Sequence, residues 1–441
     1  MKLFPDDHET IAGTARRLRQ GQVTCEGVLQ SCLDRIEERE HEVRAWVIVD
    51  RDGALVQARD LDAELQAGRD RGPLHGVPIG VKDIIDVEGL PTGCGSLRGT
   101  GRLALEDATI VTRLRDAGAV ILGKTVTTAY AWIDPPVSRN PWSIDRTPGG
   151  SSSGSAAAVA CGMCLGAIGT QTGGSITRPA AFCGVAGMKP TFGHVSTTGV
   201  FPFAPSLDHP GPIARSVGDL RTIYQSVCDR GPARVEARQE RDLVQSPPRL
   251  GRLGGFFDNR AHAEMRWAMG AFLKWFEDWG ATVFELNEPG FLEDLLSHHR
   301  AIMAAEATEV HGERFSLLPE AYPPRISELI IEGGTIPAAV VELAHGLKAS
   351  YSSSMLALMD DLDALITPAA IGPAPDRSST GDPAFNSPWS YLGFPTVSFP
   401  LGFSAERLPL AVQLIGRPGS DLGLLRVAGQ CEQWTRSAHR V

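Results

Sequence analysis

Thr109-Ile110-Val111-Thr112-Arg113-Leu114-Arg115-Asp116-Ala117-Gly118-Ala119-Val120-Ile121-Leu122-Gly123-Lys124-Thr125 decides the fold class. Thr109 to Ala117 has the composition of a helix, Ala119 to Leu122 that of a short buried strand, and Gly123-Lys124-Thr125 is expected to leave the strand. A helix feeding directly into an apolar strand is the alternation of an α/β protein. Upstream, Gly72 to Asp83 (GPLHGVPIGVKD) runs through prolines and glycines into Ile79-Gly80-Val81, a second short strand that delivers Lys82 to its end. Earlier still, Leu29, Cys32, Leu33 and Ile36 recur at helical spacing, and Ala45 to Val49 is apolar and β-prone.

Downstream, 134–155 reads as a long loop, Ala156 to Cys164 as a helix, and Gly166 to Gly174 as a second glycine-rich stretch before Ser175. Residues 230–250 carry many Arg, Glu and Pro with little periodic apolar content. They are expected to connect a front half, 60–225, bearing the candidate catalytic residues, to a helical back half, about 255–362, that shapes a pocket. Ala261 to Trp279 is helical in pattern, Ala281 to Leu286 strand-like, and 291–362 mostly helical. Strands are expected at Ala364 to Thr367, Pro395 to Phe399 and Ala411 to Ile415, with a last helix from Asp421 to Gln433.

The chain has 441 residues, 42% hydrophobic and 21% charged, the mixture of a globular protein with a sizeable core. Its formal charge of -10, from 42 Lys+Arg against 52 Asp+Glu, disfavours a nucleic-acid backbone or an anionic membrane as partner. Pro5, Asp6 and Asp7 stand where a secretory signal needs an apolar run, so a cytoplasmic location is expected. The longest apolar run, Ala156 to Gly169, is too short to span a hydrocarbon core of about 30 Å. Eight irregularly spaced cysteines suggest reduced thiols, and the Cys161/Cys164 pair, inside that run, reads as core packing. His298 and His299, on an expected helix, read as solvent-facing or pocket-lining rather than as a metal pair. No spacing supports zinc, and neither metal nor cofactor is expected.

Amide hydrolysis needs a nucleophile activated by a base and fixed N–H donors aimed at the oxygen that becomes negative. Two segments offer both. Pro148-Gly149-Gly150-Ser151-Ser152-Ser153-Gly154-Ser155 is a polar, glycine-rich loop opening onto an Ala-rich helix. Gly169-Thr170-Gln171-Thr172-Gly173-Gly174-Ser175 can turn tightly and let the N–H groups of Thr172, Gly173, Gly174 and Ser175 converge on one oxyanion.

These segments resemble the amidase signature family. Its serine-rich loop, followed 24 residues later by the serine of Thr-Gly-Gly-Ser, matches Ser151 and Ser175. Its lysine context matches Gly76-Val77-Pro78-Ile79-Gly80-Val81-Lys82-Asp83. Ala181 to Thr191 and Gln413 to Gly416 carry the likeness across nearly the whole chain. The resemblance implies one α/β domain over 1–441 with a central mixed sheet flanked by helices. It also implies a Ser-Ser-Lys triad: Ser175 attacks the carbonyl, Ser151 relays the proton, neutral Lys82 receives it, and water releases the acid from the acyl-enzyme. Thr172, Gly173 and Gly174 would form the oxyanion hole. Lys82 has an ordinary pKa of about 10.4, which burial must lower, and its neighbours Ile79, Val81 and Ile84 are apolar.

Gln171 stands where the family more often has Asp, and Thr177 where it has Arg, with Arg178 one position later. That variant looks closer to malonamidase-type stand-alone amidases than to the glutamine-using component of the glutamyl-tRNA amidotransferase. Arg178 could hold a substrate carboxylate with its planar fork, or sit in a structural ion pair. The expected partner is a small-molecule amide, with a homodimer permitted; the alternative is the glutamine-hydrolysing component of a tRNA-dependent amidotransferase complex.

Three further patterns are set aside. Gly118 to Thr125 satisfies the Walker A expression, but its centre is strand material. Gly150-Ser151-Ser152-Ser153-Gly154 satisfies the nucleophile-elbow pattern, but no strand precedes it. Trp389, in the turn-rich segment Phe385 to Trp389, reads as core in preference to substrate contact.

Overall fold

Eleven strands were identified in a computed structural model that describes residues 1–6, 9–98, 102–229 and 247–438. They are β1 (Trp46–Val49), β2 (Pro78–Lys82), β3 (Val120–Thr125), β4 (Gly166–Gln171), β5 (Ala186–Lys189), β6 (His209–Ala214), β7 (Arg249–Leu253), β8 (Thr282–Leu286), β9 (Ala364–Pro368), β10 (Thr396–Phe403) and β11 (Pro409–Ile415). All join one sheet in the order β1-β3-β2-β4-β6-β5-β10-β11-β9-β7-β8. β2 runs parallel to β3 and β4, and β7 parallel to β8 and β9, while the other pairings are antiparallel. The sheet is therefore mixed, flanked by helices, and belongs to a single α/β domain.

The side chains of β3 show why both faces must be covered. Val120 and Leu122 join one apolar cluster, with Leu29 and Leu33 of the helix Cys25–Val43 and Ala156 to Ala160 of the helix Ser153–Ala160. Ile121, between them, joins the other, with Ile110 and Leu114 of the helix Thr109–Asp116. Successive strand residues point to opposite faces, so an unbroken apolar strand requires helices on both sides.

Lys124 and Thr125 do not leave β3; they are its last residues. Lys124 is fully buried and pairs with Asp83 at 2.9 Å, so the Walker-like pattern is a strand closed by an internal ion pair. Gly166 to Gly174 is another departure, because its first six residues are β4. A Cβ on Gly169 would come within 2.7 Å of Ser152 Oγ, so this strand needs glycine where the serine loop presses on it. β5, β6 and the helices Thr177–Cys183 and Val217–Val227 lie where no element was expected. Of the expected connector, 230–246 lies outside the described residues, and Arg249 already belongs to β7.

The eight cysteines are free, and seven of them, including Cys164, are buried. Burial pushes the Cys161 thiol up to about 11. Among the described residues no His/Cys/Asp/Glu group could hold a metal, and no helix is long and apolar enough to cross a membrane. Trp389 is fully buried and stacks on Phe257 with ring centroids 6.3 Å apart.

Candidate active site

Parallel pairing of β2 with β4 carries Lys82 and the loop after Gln171 to the same, carboxyl, edge of the sheet, where open α/β sheets gather their ligands. Lys82 is completely buried. Its Nζ donates to Ser151 Oγ at 2.7 Å and to Thr170 Oγ1 at 2.7 Å, with Thr170 O at 3.4 Å. Among the described residues no carboxylate pairs with it. Burial disfavours the ammonium and brings Lys82 down to about 7, against a smaller upward pull from the charge of Asp208. At neutral pH a substantial fraction of Lys82 is thus an amine able to accept a proton.

Ser151 follows a cis peptide bond from Gly150. The N–H of Ser152 donates to the Ser175 carbonyl at 3.2 Å, which clips the serine-rich loop to the loop of Ser175. Among the described residues no hydrogen bond joins the side chains of Ser151 and Ser175, so the two loops are linked there through the backbone N–H of Ser152. Ser152 itself faces away from the cleft; it is fully buried, and its hydroxyl donates to Thr170 O at 3.2 Å.

The carbonyls of the loop before Ser175 are tied down. Thr172 O is bonded by His299 Nε2 at 2.9 Å, Gly173 O accepts from Ser390 Oγ at 2.7 Å, and Gly174 O accepts from the Arg178 N–H at 2.9 Å. Gln171 closes the other end: its Oε1 accepts from the N–H groups of Ile176 and Thr177, both at 2.9 Å, and its Nε2 donates to Ser390 Oγ at 3.2 Å. Among the described residues no hydrogen bond runs from the N–H groups of Thr172, Gly173, Gly174 or Ser175. These four consecutive residues line a cleft, while the carbonyls around them are anchored.

Gln171 braces the loop through both halves of its amide, which a carboxylate at the same place could not do. Gln171→Met, similar in shape, should therefore strand the N–H donors of Ile176 and Thr177 and leave Ser390 Oγ with only its bond to Gly173 O. Each unsatisfied buried group costs ~1–3 kcal/mol. The expected result is a fall in the urea midpoint together with a fall in kcat; a variant that kept both would remove the bracing role.

Arg178, beyond Ser175 on the helix Thr177–Cys183, is fully buried. Its Nε donates to Thr380 O at 2.6 Å and its Nη2 to Gly150 O at 2.8 Å, while Nη1 has no partner although buried. Among the described residues Arg178 makes no ion pair. Burial lowers its pKa to about 10, opposed by the charge of Asp382, so it remains a cation at neutral pH.

Ser175, Arg178, Thr172, Gly173 and Gly174 open onto one cleft of about 250 Å3, whose far wall is Trp132, Phe203, Leu296, His299 and Met303. Burial takes His299 down to about 4, so it is neutral and its ring N–H is available to Thr172 O. Two supporting residues escaped sequence reading. Thr170 shares Lys82 with Ser151, and Asp208 accepts from Thr172 Oγ1 at 2.5 Å and from the N–H groups of Phe203 and Ala204. Burial pushes Asp208 up to about 6. Neither carried a local signal, because each acts through a neighbour brought up by the sheet.

Comparison with known proteins identifies the family. The amidase family model matches residues 27–425. The A component of the glutamyl-tRNA(Gln) amidotransferase of Myxococcus xanthus (strain DK1622) is 32% identical over 475 residues, covering 96% of this chain and 96% of the relative. A solved structure described as an amidase shares 30% identity with a TM-score of 0.87, over 97% of this chain and 99% of its own. The native peptide amidase of Stenotrophomonas maltophilia shares 28% identity with a TM-score of 0.83, over 97% of each chain. The chain belongs to the amidase family and is an enzyme acting on carbon–nitrogen bonds.

Proposed function

We propose that this chain is a stand-alone amidohydrolase of the malonamidase type, cleaving a short carboxylate-bearing amide such as malonamate through a Ser175 acyl-enzyme. The observation that carries the reading is Lys82: a fully buried amine, held at 2.7 Å by Ser151 Oγ and brought down to about 7. Neutral Lys82 takes the Ser151 proton as Ser151 takes that of Ser175, and Ser175 Oγ bonds to the amide carbon. The carbonyl oxygen gains the negative charge, which the N–H groups of Thr172, Gly173, Gly174 and Ser175 stabilise. Collapse breaks the carbon–nitrogen bond, the proton returns through Ser151 to the departing nitrogen, and ammonia leaves. Water then attacks the ester by the same route and restores Ser175.

The cleft, at about 250 Å3, lies below the ~300–1,000 Å3 of pockets for drug-sized ligands, which supports a small substrate. The helical stretch 255–362 contributes Leu296, His299 and Met303 to its wall, in keeping with a pocket-shaping role. The unpartnered Arg178 Nη1 supports an acid on the substrate. Arg178→Ala should lower kcat/KM for malonamate relative to propionamide, which lacks the acid, by about 10- to 100-fold, the value of a charge-assisted hydrogen bond. An unchanged ratio would remove the carboxylate from the substrate.

The name of the Myxococcus relative favours a second reading, the glutamine-hydrolysing component of an amidotransferase assembly. Steady ammonia release from malonamate by the purified chain alone supports the first reading. Release only from glutamine, and only with partner proteins added, supports the second.

A further inference from the structure

A second cation lines the same cleft. Arg325 lies near the start of the helix Pro324–Gly333, far from the catalytic loops in sequence, and is half-buried. Its Nη1 donates to Ile133 O at 3.1 Å and its Nη2 to Ser378 O at 2.7 Å. Two backbone carbonyls from separate segments thus hold the guanidinium in place, and of its five N–H donors three remain. Among the described residues Arg325 makes no ion pair. A neighbouring carboxylate, Asp134, is instead spent on the backbone N–H groups of Arg325 and Ile326, at 3.1 and 3.0 Å.

The third guanidinium of the cleft behaves differently. Arg300 gives its Nε to Glu332 Oε1 at 2.8 Å and its Nη2 to Glu332 Oε2, so a carboxylate already answers its charge. Among the described residues, Arg178 and Arg325 are therefore the two cations of the cleft without a bonded carboxylate. Each is fixed by neutral acceptors, Thr380 and Gly150 in one case and Ile133 and Ser378 in the other. The charges of Asp382 and Asp134 act on the guanidinium groups of Arg178 and Arg325 without bonding to them, and a guanidinium held by neutral acceptors is preorganised for an incoming anion, because little side-chain entropy remains to be lost on binding.

We infer that the cleft takes a dianionic amide, with one carboxylate on Arg178 and a second, outer anionic group on Arg325. This rests on the hydrolase reading for the inner carboxylate and adds the outer one. A small amide joining two acids, such as N-(carboxymethyl)malonamate, has the required chemistry, and malonamate is its singly acidic counterpart.

The test is calorimetric titration of the Ser175→Ala protein, where no turnover disturbs binding, with these two ligands. N-(carboxymethyl)malonamate should bind about 10- to 100-fold more tightly than malonamate, as a charge-assisted hydrogen bond allows. In Ser175→Ala/Arg325→Ala that ratio should fall to about one, and with Arg325→Lys, which keeps the charge but not the fork, part of it should return. If Arg325 only tied the rim together, its loss would weaken both ligands alike and leave the ratio standing, which would overturn the proposal. Equal affinities in the starting protein would overturn it directly. A preference that holds in a protein whose wild type hydrolyses neither amide would sink the hydrolase reading while leaving the dianion site in place.

Discussion

Lys82→Met is expected to lower kcat/KM by about 10,000-fold or more and, at the same time, to raise the melting temperature at neutral pH and below. The activity loss follows from the position of Lys82 as the buried amine bonded to Ser151, since removing one member of a nucleophile–base unit costs nearly as much as removing the unit. The stability gain follows from linkage. The folded protein holds Lys82 at about 7 against an ordinary 10.5, so between those values the unfolded chain binds a proton that the folded one does not. Stability therefore rises with pH across that window, and below pH 7 the full cost of burying the ammonium is present. A displacement from 10.5 to about 7 corresponds to about 5 kcal/mol at about 1.4 kcal/mol per unit, as an upper bound. Against it stand the hydrogen bonds to Ser151 and Thr170, worth about 1 kcal/mol each. The advantage of Met over Lys should be greatest below pH 7 and shrink steadily as pH rises towards 10.5. In the wild type, kcat/KM should climb through about pH 7 as the amine loses its proton. Melting curves of both proteins from pH 6 to pH 10 check the prediction; a stability difference that does not change with pH would mean that Lys82 is not a desolvated base.

Why Lys82 could be found in the sequence, and much of its setting could not, has a physical explanation. Ile79, Gly80 and Val81 are buried on both faces of a parallel strand, and such a strand reads as an apolar run, so its end could be placed at Lys82. The same holds for β3, although Lys124 and Thr125 extend it because Asp83 offsets the charge inside the sheet. β4 was hidden by its glycines, and β6 by Pro210 and Pro212, residues that ordinarily argue against a strand. The register with β5 covers only Ile213 and Ala214 of β6, while β4 pairs along all of it, prolines included. The site followed the same division. Ser151 and Ser175 sit in short, glycine-rich segments, and Gln171 and Arg178 stand out against the pattern of the family. Asp208, Thr170 and Arg325 owe their importance to neighbours 36, 88 and 192 residues away, a relation set by the sheet order and not by local pattern.

Ser175→Ala should lower kcat for any accepted amide by about 100,000-fold, with the residue of activity coming from the oxyanion donors and from substrate binding, as when a serine hydrolase loses its nucleophile. Because Arg178 and the far wall of the cleft are untouched, this variant should still bind the substrate acid. Rate loss with retained binding is the signature of a missing nucleophile, whereas a collapsed loop would lose both. A fluorophosphonate probe separates the serines directly. Ser175 lines the cleft, while Ser151 and Ser152 are 1% and 0% exposed, and the Ser152 hydroxyl is turned towards Thr170 O. The label, mapped by mass spectrometry, should sit on Ser175 alone, vanish in Ser175→Ala and persist in Ser152→Ala. The Lys82→Met protein should label far more slowly than wild type at pH 7, because the probe also needs its attacking oxygen deprotonated. Modification of Ser152 would move the chemistry to the elbow-like pattern and would leave Lys82, buried behind Ser151, without a catalytic task.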